Sequence, residues 1–308
     1  MPETLHIYLN SDDAEFNFAR SDFSEFTTAH PSICLQFLES EAELLETLPT
    51  ITALDTWYFD QNWFDLAPKL RHLFTPAAGR ENVARDESQK IKTHYGTFHG
   101  TMMAESALAL ILQFSLRLLQ YRSQQQNHIW QRIPARLIRN QTALIIGYGH
   151  IGRQTGALLS GLGMTVWGHQ RQPKDLMDGA VTLIPQSQLH DYLPRADHVI
   201  SFLPGDDTTR HFISEEFISR MSPNAFLYNF GRGSTIDEEA LLAALQQRNL
   251  AGAGLDVTET EPLPTNSGLW DEPNAILVPH ASSYFEEYRS LHVAELTELA
   301  RNLLNLQI

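Results

Sequence analysis

The chain has 308 residues, 43% of them hydrophobic and 19% charged, which is the composition of a soluble globular protein long enough for two domains. Its 37 acidic and 22 basic residues give a net charge of −15, which repels nucleic acid and anionic lipid, so we expect neither as a partner. The single cysteine, Cys34, excludes an internal disulfide and a multi-cysteine metal site. It favours a reducing compartment, so we predict a cytoplasmic protein with no bound metal.

The apolar segments of the chain are too short to cross a bilayer. The start, MPETLHIYLNSDDAEF, has no basic stretch followed by an apolar core, so we expect no secretion signal. The most apolar run, ALALIL, lies between Glu105 and Arg117 and is shorter than the roughly 20 residues that a spanning helix needs. We therefore predict no membrane association.

The first hundred residues contain strand-like runs separated by acidic helical stretches such as EAELLETL. The runs are LHIYL, SICLQFL, LRHLF and KIKTHY. This alternation predicts a small α/β unit. The next segment, AESALALILQFSLRLLQYRSQQQ at 104–126, keeps a helical apolar period for several turns, so we predict a helix there that is long enough to bridge two domains.

From Ala143 onward, short apolar runs alternate with helical patterns. The runs are ALIIG, MTVWG, HVISFL, AFLYNF, AGAGLDV and NAILVP. The helical patterns include 151–162, 214–221 and 237–248, and a capping-box spacing from Thr235 to Glu238 precedes the last one. This spacing predicts a parallel, doubly wound sheet. The tail EEYRSLHVAELTELARNLLNL is amphipathic, and we expect it to pack on the first unit.

The segment ALIIGYGHIG places an apolar strand directly before a glycine-rich turn and a helix. Gly147 permits a tight turn, Gly149 lets the backbone approach a pyrophosphate, and Gly152 lets the helix pack closely on the strand. The helix N-terminus faces the anion. We therefore predict a dinucleotide site whose contacts are Gly147, Gly149, His150, Ile151 and Gly152. The alternative is an ordinary strand-to-helix turn that contains glycines.

Polar residues follow three later strand-like runs, at the carboxyl ends of strands that line the ligand crevice of an open parallel sheet. Arg232 follows AFLYNF between two glycines, within reach of a bound carboxylate, although alone it fits a surface ion pair equally well. Asp256 ends the next run, Glu261 follows it, and His280 follows NAILVP. Taken alone, His280 fits a core or surface position. A histidine beside a carboxylate stays protonated at neutral pH and can donate a proton to a carbonyl oxygen.

A carboxylate binder, a proton donor and its orienting acid, beside a nicotinamide, are the groups that reduction of a 2-oxo acid needs. In its linked motifs the sequence resembles the D-isomer-specific 2-hydroxyacid dehydrogenases, most closely their glyoxylate/hydroxypyruvate reductase branch. The motifs are, in order, ALIIGYGHIG, HVISFLPGDDTTRHFI, LYNFGRGSTIDEEAL, AGAGLDVTETEPLP and AILVPHASS. The resemblance covers nearly the whole chain. It implies an α/β fold of two doubly wound parallel-sheet domains: a Rossmann nucleotide-binding domain over 100–284 and a smaller, flavodoxin-like substrate domain from 1–99 and 285–308.

The resemblance also implies roles for single residues. Arg232 would hold the substrate carboxylate, His280 would be the proton donor, and Glu261 its partner. Asp256 would contact the amide side of the nicotinamide, and Pro204 would lie along the cofactor. The family's substrate loop, usually G-x-G-x-D, matches PAAGRENV, where Ala78 and Gly79 would offer backbone N–H groups to the carboxylate. In that loop Ala77 and Arg80 depart from the usual residues.

The stretch VWGHQRQPK bears on the choice of cofactor. A Rossmann fold usually places an acidic residue here to bind the ribose 2′-hydroxyl, and this chain has His169 instead. Arg171 and Lys174 follow, and both suit a 2′-phosphate, which a carboxylate would repel. We therefore predict that NADPH is preferred and that NAD is possible. The alternative is a solvated basic turn after a strand.

The leading hypothesis is reduction of a small anionic 2-oxo acid, similar to glyoxylate or hydroxypyruvate, to the D-2-hydroxy acid. A nucleotide-sensing binding protein is the alternative from another class, because the resembling family includes transcriptional corepressors that keep such residues. Formate dehydrogenase relatives are disfavoured, since they carry glutamine where this chain has Glu261. A phosphoglycerate dehydrogenase-like enzyme using NADH stays open, although we expect no regulatory domain of the longer versions in a chain that ends at Ile308.

Assembly is the last expectation. Families of this resemblance pair through the nucleotide domain. The helix that begins at Ala104 and the following arm, QNHIWQRIP, offer an apolar surface that includes Trp130. We therefore expect a two-fold homodimer.

Overall fold

The computed structural model describes residues 4–11 and 13–305. These residues form two compact units, one comprising the described chain through His99 and from Tyr284 onward, the other Gly100–Ser283. Each unit is built on its own sheet, and all but one of the strand pairs are parallel. The structure therefore confirms the α/β class with two parallel-sheet domains.

The regular elements are numbered in chain order. The strands are β1 Thr4–Tyr8, β2 Cys34–Phe37, β3 Ala53–Thr56, β4 His72–Thr75, β5 Lys92–Tyr95, β6 Thr142–Ile146, β7 Thr165–Gln170, β8 Met177–Asp178, β9 Val181–Pro185, β10 His198–Ser201, β11 Phe226–Asn229, β12 Gly252–Leu255 and β13 Ala275–Leu277. The α-helices are α1 Ser24–Ala29, α2 Glu41–Thr47, α3 Trp63–Leu66, α4 His99–Ser115, α5 Leu118–Gln126, α6 His150–Gly161, α7 Leu189–Tyr192, α8 Glu215–Ser219, α9 Glu238–Gln246 and α10 Tyr288–Asn305.

The first unit has a five-stranded sheet in the order β2-β1-β3-β4-β5, which is the flavodoxin-like order. The runs LHIYL, SICLQFL, LRHLF and KIKTHY are confirmed as strands β1, β2, β4 and β5. The sequence did not indicate the central strand β3, because its residues ALDT include a carboxylate. That carboxylate, Asp55, is fully buried and accepts a 2.8 Å hydrogen bond from Nε2 of His292 in α10.

The amphipathic tail forms α10 and packs in the first unit, as expected. The helix contacts α1, and the buried ring of His30 bonds through Nε2 to the Thr297 carbonyl at 2.9 Å. The His292–Asp55 pair fixes the same helix to the centre of the sheet. Both side chains of that pair are almost inaccessible to solvent. A buried pair of this kind is costly to break, because removing one partner leaves the other uncompensated.

The second unit has an eight-stranded sheet in the order β13-β12-β11-β10-β6-β7-β9-β8. Only β8 is antiparallel to its neighbour. Strand order reverses between β6 and β10, which gives the Rossmann arrangement and its topological switch point. All six predicted runs are confirmed as strands, whereas β8 and β9 were not predicted. Successive strand residues supply opposite faces of the sheet: Leu144 and Ile146 join one core cluster, and Ala143 and Ile145 join the other.

Two details of the helices differ from the sequence-based expectation. The helix predicted over 104–126 is two helices, α4 and α5, bent by 61° at Arg117, whose φ of 61° is left-handed. The capping box from Thr235 is wrong, because Asp237 is the N-cap of α9 and accepts from the Ala240 N–H at 3.0 Å. Thr235 lies in a preceding 3-10 turn, and its hydroxyl donates to the Arg232 carbonyl.

Helix α4 packs against one face of the second sheet, in the core cluster that includes Ala143 and Ile145. Met103, Ala107, Leu110, Ile111 and Phe114 are buried there. Among the described residues, no single helix is long and apolar enough to cross a membrane. The α4–α5 pair reaches that length and composition only when its two bent parts are taken together.

A histidine network lies buried in the second sheet. The His198 ring, fully buried and stacked on Phe226, bonds through Nε2 to Gln141 Oε1 at 2.6 Å and through Nδ1 to the Tyr228 hydroxyl at 3.0 Å. The Gln141 amide nitrogen donates to the Leu137 carbonyl, so its oxygen accepts from His198, and the ring is neutral with the proton on Nε2. Burial lowers the pKa of His198 to about 4.

This network predicts acid sensitivity. The pKa of His198 is about 4 in the folded chain and about 6.5 when unfolded, so its contribution to stability is lost as pH falls from 6.5 towards 4. We expect His198→Gln to lower the unfolding free energy near neutral pH by about 1–3 kcal/mol and to flatten its decline across this window. Denaturant titrations at several pH values measure both effects. His128→Gln, in an exposed turn, is the control, and an equal flattening there would contradict the assignment.

Candidate active site

The strands of the second sheet end in register. The aligned residues, each paired with the next, are His169, Ile146, Ser201, Asn229, Leu255 and Leu277. The segments that follow these residues therefore leave the sheet at one carboxyl edge. Ligands of open α/β sheets bind at this edge, beside the switch point. His169 is itself one of the aligned residues, and the other predicted site residues of the second unit lie in the segments that follow or at the start of the helix after β6.

The glycine turn after β6 has the shape that the motif predicts. Gly147 has a φ of +81°, and a Cβ there would lie 2.9 Å from the Phe202 carbonyl. A Cβ at Gly152 would lie 3.0 Å from the Gly147 oxygen, so helix and strand approach closely. A Cβ at Gly149 would meet no described atom within 4 Å. The turn is thus tightly packed on the sheet side and open at Gly149.

Helix α6 begins at His150, directly after this open side. His150 and Ile151 lie in its first turn, where backbone N–H groups have no acceptor inside the helix. An open, glycine-lined approach beside a helix N-terminus fits a pyrophosphate group. The residues present therefore fit a dinucleotide cofactor, although the contacts themselves stay predictions.

The turn after β7 brings two cations to the same edge. Arg171 and Lys174 are both exposed, and Arg171 Nη2 donates to the hydroxyl of Thr208. His169 does not add a third charge. It is 3% exposed, and burial lowers its pKa. The hydrogen bond that its ring donates to Gln186 opposes this shift, and the nearby Arg171 adds to it. Nε2 of His169 bonds to Gln186 Oε1 at 2.8 Å.

The segment after β10 forms a compact turn. Pro204 is exposed at its start, and its carbonyl accepts from the Thr209 hydroxyl at 2.6 Å. Asp206 Oδ1 accepts from both the backbone N–H and the hydroxyl of Thr208 at 2.8 and 2.6 Å. The sequence had singled out Pro204 in this segment but neither Asp206 nor Thr208.

His280 and Glu261 form a hydrogen-bonded pair. Nδ1 of His280 lies 2.8 Å from Glu261 Oε2, with the two side chains 50% and 38% exposed. The other carboxylate oxygen accepts from the Thr258 N–H at 3.1 Å. Nε2 of His280 makes no hydrogen bond with the described residues, so it is the ring nitrogen that a bound molecule can reach. The sequence-based pairing of these two residues agrees with this geometry.

The His280 backbone is held in an unusual conformation. Its φ is +50°, in the left-handed region that few non-glycine residues adopt. Its N–H is shared between the carbonyl oxygens of Asp256 at 2.8 Å and Val278 at 2.9 Å. The chain immediately beyond it is anchored by a buried acid, so the imidazole projects from a backbone that is fixed on both sides.

That buried acid is Asp256, which is 2% exposed. Its Oδ1 accepts from the N–H groups of Ala281 and Ser282 at 2.8 and 2.9 Å, and its Oδ2 accepts from the Ser282 hydroxyl. Burial raises the pKa of this carboxyl, while the bonds from Ser282 and Ala281 oppose the shift. The structure thus shows Asp256 holding the segment after His280. Its contact with a nicotinamide stays a prediction.

Arg232 follows β11 with a fixed backbone. Its carbonyl accepts from the Asn229 side chain at 3.1 Å and from the Thr235 hydroxyl at 2.6 Å. Its side chain is half-buried and packs over Gly205, where a Cβ would lie 2.9 Å from the arginine Cγ. Nη1 donates to the Gly231 carbonyl at 2.9 Å. The planar guanidinium is therefore oriented from within its own loop.

Ala78 and Gly79 belong to the first unit, in the segment after β4. Ala78 is exposed, and the preceding residue is fixed through its carbonyl, which accepts from the Gly96 N–H at 3.0 Å. Arg80, the departure from the family's usual loop, places its guanidinium 5.2 Å from the centre of the Tyr95 ring, a cation–π distance. The role of Ala78 and Gly79 in substrate binding stays a prediction.

Comparisons with known proteins give a family match and several relatives. Residues 108–282 match the family "D-isomer specific 2-hydroxyacid dehydrogenase, NAD binding domain". The chain is 32% identical to a glyoxylate reductase of Thermococcus gammatolerans over 85% of its own length and 81% of that protein's. It is 31% identical to glyoxylate/hydroxypyruvate reductase A of Serratia proteamaculans over 67% of its length and 64% of that protein's.

Solved structures share the fold over nearly the whole chain. A D-isomer specific 2-hydroxyacid dehydrogenase from Xanthobacter autotrophicus, in complex with NADPH and MES, has a TM-score of 0.83 at 24% identity, covering 98% of this chain and 95% of that one. An NADPH-dependent glyoxylate/hydroxypyruvate reductase from Sinorhizobium meliloti, in complex with NADP and sulfate, has a TM-score of 0.80 at 23% identity, covering 99% and 96%.

The glycine turn predicts opposite outcomes for two matched substitutions. Gly147→Ala puts a side chain at positive φ against the Phe202 backbone, so we expect it to destabilise the fold by about 1–3 kcal/mol. Gly149→Ala has a negative φ and open space, so its stability should change by less than about 1 kcal/mol, while dinucleotide affinity falls. Thermal unfolding and cofactor titration measure the two effects. Unchanged cofactor affinity in Gly149→Ala would contradict the placement of the pyrophosphate.

Proposed function

This chain belongs to the D-isomer specific 2-hydroxyacid dehydrogenase family of NAD(P)-dependent enzymes, and we propose that it reduces a small 2-oxo acid to the D-2-hydroxy acid, with NADPH preferred. The observation that carries this proposal is the His280–Glu261 pair, which lies at the same sheet edge as the glycine turn and Arg232. Relatives named as glyoxylate and hydroxypyruvate reductases support a small anionic substrate of that kind.

The proton comes from His280. Its Nδ1 is engaged by Glu261, so a protonated ring presents its Nε2–H to a substrate carbonyl oxygen. The carboxylate accepts from Nδ1–H and fixes the orientation of the ring. A bound nicotinamide cofactor supplies the hydride to the carbonyl carbon. With one proton from His280, the carbonyl becomes a hydroxyl, and the histidine is left neutral beside its acid.

Arg232 binds the substrate carboxylate in this proposal. A guanidinium offers several N–H donors in one plane, which matches the two oxygens of a carboxylate. The contacts of the Arg232 carbonyl with Asn229 and Thr235 fix the position from which its side chain extends. As part of the same proposal, we assign nucleotide binding to the second unit and further substrate contacts to Ala78 and Gly79 of the first.

The cofactor preference rests on the turn after β7. His169 is neutral and buried where a Rossmann fold usually has a carboxylate. Arg171 and Lys174 supply positive charge for a 2′-phosphate. The solved relatives with NADPH and NADP support this preference at the level of the fold. NADH remains a usable second cofactor in the proposal.

A panel of reactions tests the proposed activity. Glyoxylate, hydroxypyruvate, pyruvate, phenylpyruvate and phosphohydroxypyruvate are each assayed with NADPH and with NADH by absorbance of the reduced nicotinamide. We expect turnover with the small 2-oxo acids. Preferred use of phosphohydroxypyruvate with NADH would identify a phosphoglycerate dehydrogenase-like enzyme instead. No turnover with any pair would contradict the proposal.

We also propose a cytoplasmic homodimer formed through the second unit. Its arm exposes large apolar side chains: Trp130 is 99% exposed, Leu137 80% and Ile129 51%. Such a surface is typical of a protein–protein contact. Light scattering at micromolar concentration should give about twice the 34.9 kDa chain mass, and Trp130→Ser should shift it towards the monomer. A monomeric mass in the unsubstituted chain would contradict the dimer.

The His280–Glu261 pair predicts two distinct kinetic effects. His280→Ala removes the proton donor, so we expect turnover to fall by roughly a hundredfold or more. Glu261→Gln removes the carboxylate that holds Nδ1 of His280 but leaves the proton donor in place, so we expect a smaller fall in turnover than in His280→Ala. Steady-state rates with a 2-oxo acid substrate measure both. The control is His211→Gln, a histidine paired with Glu259, and an equal loss there would contradict a specific role for His280.

A further inference from the structure

Arg171 belongs to a hydrogen-bonded chain with a defined direction. Its Nη2 donates to Thr208 Oγ1, and Thr208 Oγ1 lies 2.6 Å from Asp206 Oδ1. A threonine hydroxyl has a single hydrogen. An ionised carboxylate only accepts, so that hydrogen goes to Asp206, and the hydroxyl lone pair is left facing the guanidinium. The guanidinium, hydroxyl and carboxylate are thus linked in one order.

The Thr208 end of this chain is rigid. The Asp206 carboxylate also accepts from the Thr208 backbone N–H at 2.8 Å, and the Asp206 N–H donates to the Thr209 hydroxyl at 2.9 Å. Thr209 is 4% exposed and bonds back to Pro204. The bonds from Thr208, followed by the nearby Thr209 and Arg171, lower the pKa of Asp206. The hydroxyl that meets Arg171 therefore sits on a closed turn beside an ionised acid.

The Arg171 end is held from the other side. The N–H of Gln186 points to the Arg171 carbonyl at 3.4 Å, a weak bond, while the side chain of Gln186 bonds to His169 at 2.8 Å. His169 is buried, so the start of the turn is fixed on the sheet. A free arginine side chain has many rotamers, and part of that entropy is lost before any ligand binds when the guanidinium is already held by Thr208.

We propose that Thr208, oriented by Asp206, is a positioning residue that holds Arg171 for the 2′-phosphate of the cofactor and thereby sets the preference for the phosphorylated dinucleotide. The inference rests on the proposed NADPH-dependent function. A guanidinium has five N–H donors, and Thr208 occupies one of them. The others are available for phosphate oxygens, and an arginine already oriented binds them with a smaller ordering cost.

The contact between Thr208 and Arg171 could also weaken NADPH binding, because it places Asp206 near the phosphate. Asp206 carries a negative charge one hydroxyl away from Arg171, and its field opposes a phosphate dianion. If this repulsion dominated, breaking the contact would strengthen NADPH binding. Positioning and repulsion therefore predict changes of opposite sign.

The decisive variant is Thr208→Val, which keeps the side-chain shape and removes the hydroxyl. Dissociation constants for NADPH and NADH are measured by calorimetry without any 2-oxo acid. We expect the NADPH constant to rise roughly tenfold, the scale of one hydrogen bond to a charged group, and the NADH constant to stay within about twofold. Thr208 is exposed, so the variant should fold normally. An unchanged ratio of the two constants, or tighter NADPH binding, overturns the inference.

A matched pair of charge variants separates positioning from long-range electrostatics. Asp206→Asn and Asp207→Asn each remove one negative charge from the same turn, and Asp207 is exposed and has no hydrogen bond with the described part of the chain. We expect Asp206→Asn to weaken NADPH relative to NADH and Asp207→Asn to leave the ratio of constants unchanged. Equal effects in both variants would overturn the role of Asp206.

A double substitution tests whether Thr208 acts through Arg171. Arg171→Ala should erase most of the NADPH preference, and Thr208→Val added to it should change the ratio of constants no further. An additive effect overturns the inference. A wild-type protein with no preference for NADPH also overturns it, while turnover with NADH would leave the reductase proposal standing. Absence of turnover with either cofactor contradicts the reductase alone, because these binding ratios need no reaction.

Discussion

In-register parallel pairing across the second sheet is the constraint on which the site depends. From β6 through β10, β11 and β12 to β13, each strand ends opposite the end of its neighbour, and β7 continues one residue further. Backbone hydrogen bonds set this alignment, and a shift by one residue would turn every side chain to the other face. The buried residues on both faces prevent such a shift. Residues far apart in the chain therefore meet at one edge without direct bonds between all of them.

Carboxylates fix the loops that leave this edge. Asp256 accepts from the backbone of Ala281 and Ser282, Asp206 from that of Thr208, and Glu261 from that of Thr258. Each carboxylate accepts hydrogen bonds from backbone N–H groups that lie beyond the end of a strand and so have no partner in the sheet. In a chain with a net charge of −15, these acids also lie next to the cations and the histidine that the proposed chemistry uses. The site is thus oriented by its own loop geometry before a ligand binds.

Patterns that repeat along the chain could be predicted from the sequence. The six apolar runs after Ala143 are strands because both faces of a parallel sheet are buried, which makes each run continuously apolar. Strand β3 was missed because its central Asp55 looks polar until the bond from His292 is known. The break at Arg117 was also invisible, since apolar residues such as Leu116 and Leu118 continue the helical period across it although both are exposed. A local sequence pattern predicts burial correctly only where apolar residues are buried and polar residues are exposed.

The contacts that orient the site lie beyond such patterns. The pairing of His280 with Glu261 was foreseeable because the two residues follow adjacent strands. A carboxylate beside a histidine is also a common arrangement for a proton donor. The contact between Arg171 and Thr208 joins residues 37 apart, and the segment between them contains β8, β9 and β10. Its existence depends on where the turn after β10 closes, which Asp206 decides. The presence of a charged residue at a strand end can therefore be predicted from the motif. The orientation of its side chain depends on the neighbouring loop, which the motif does not include. Two chains with the same basic turn can therefore differ in how well they discriminate between cofactors.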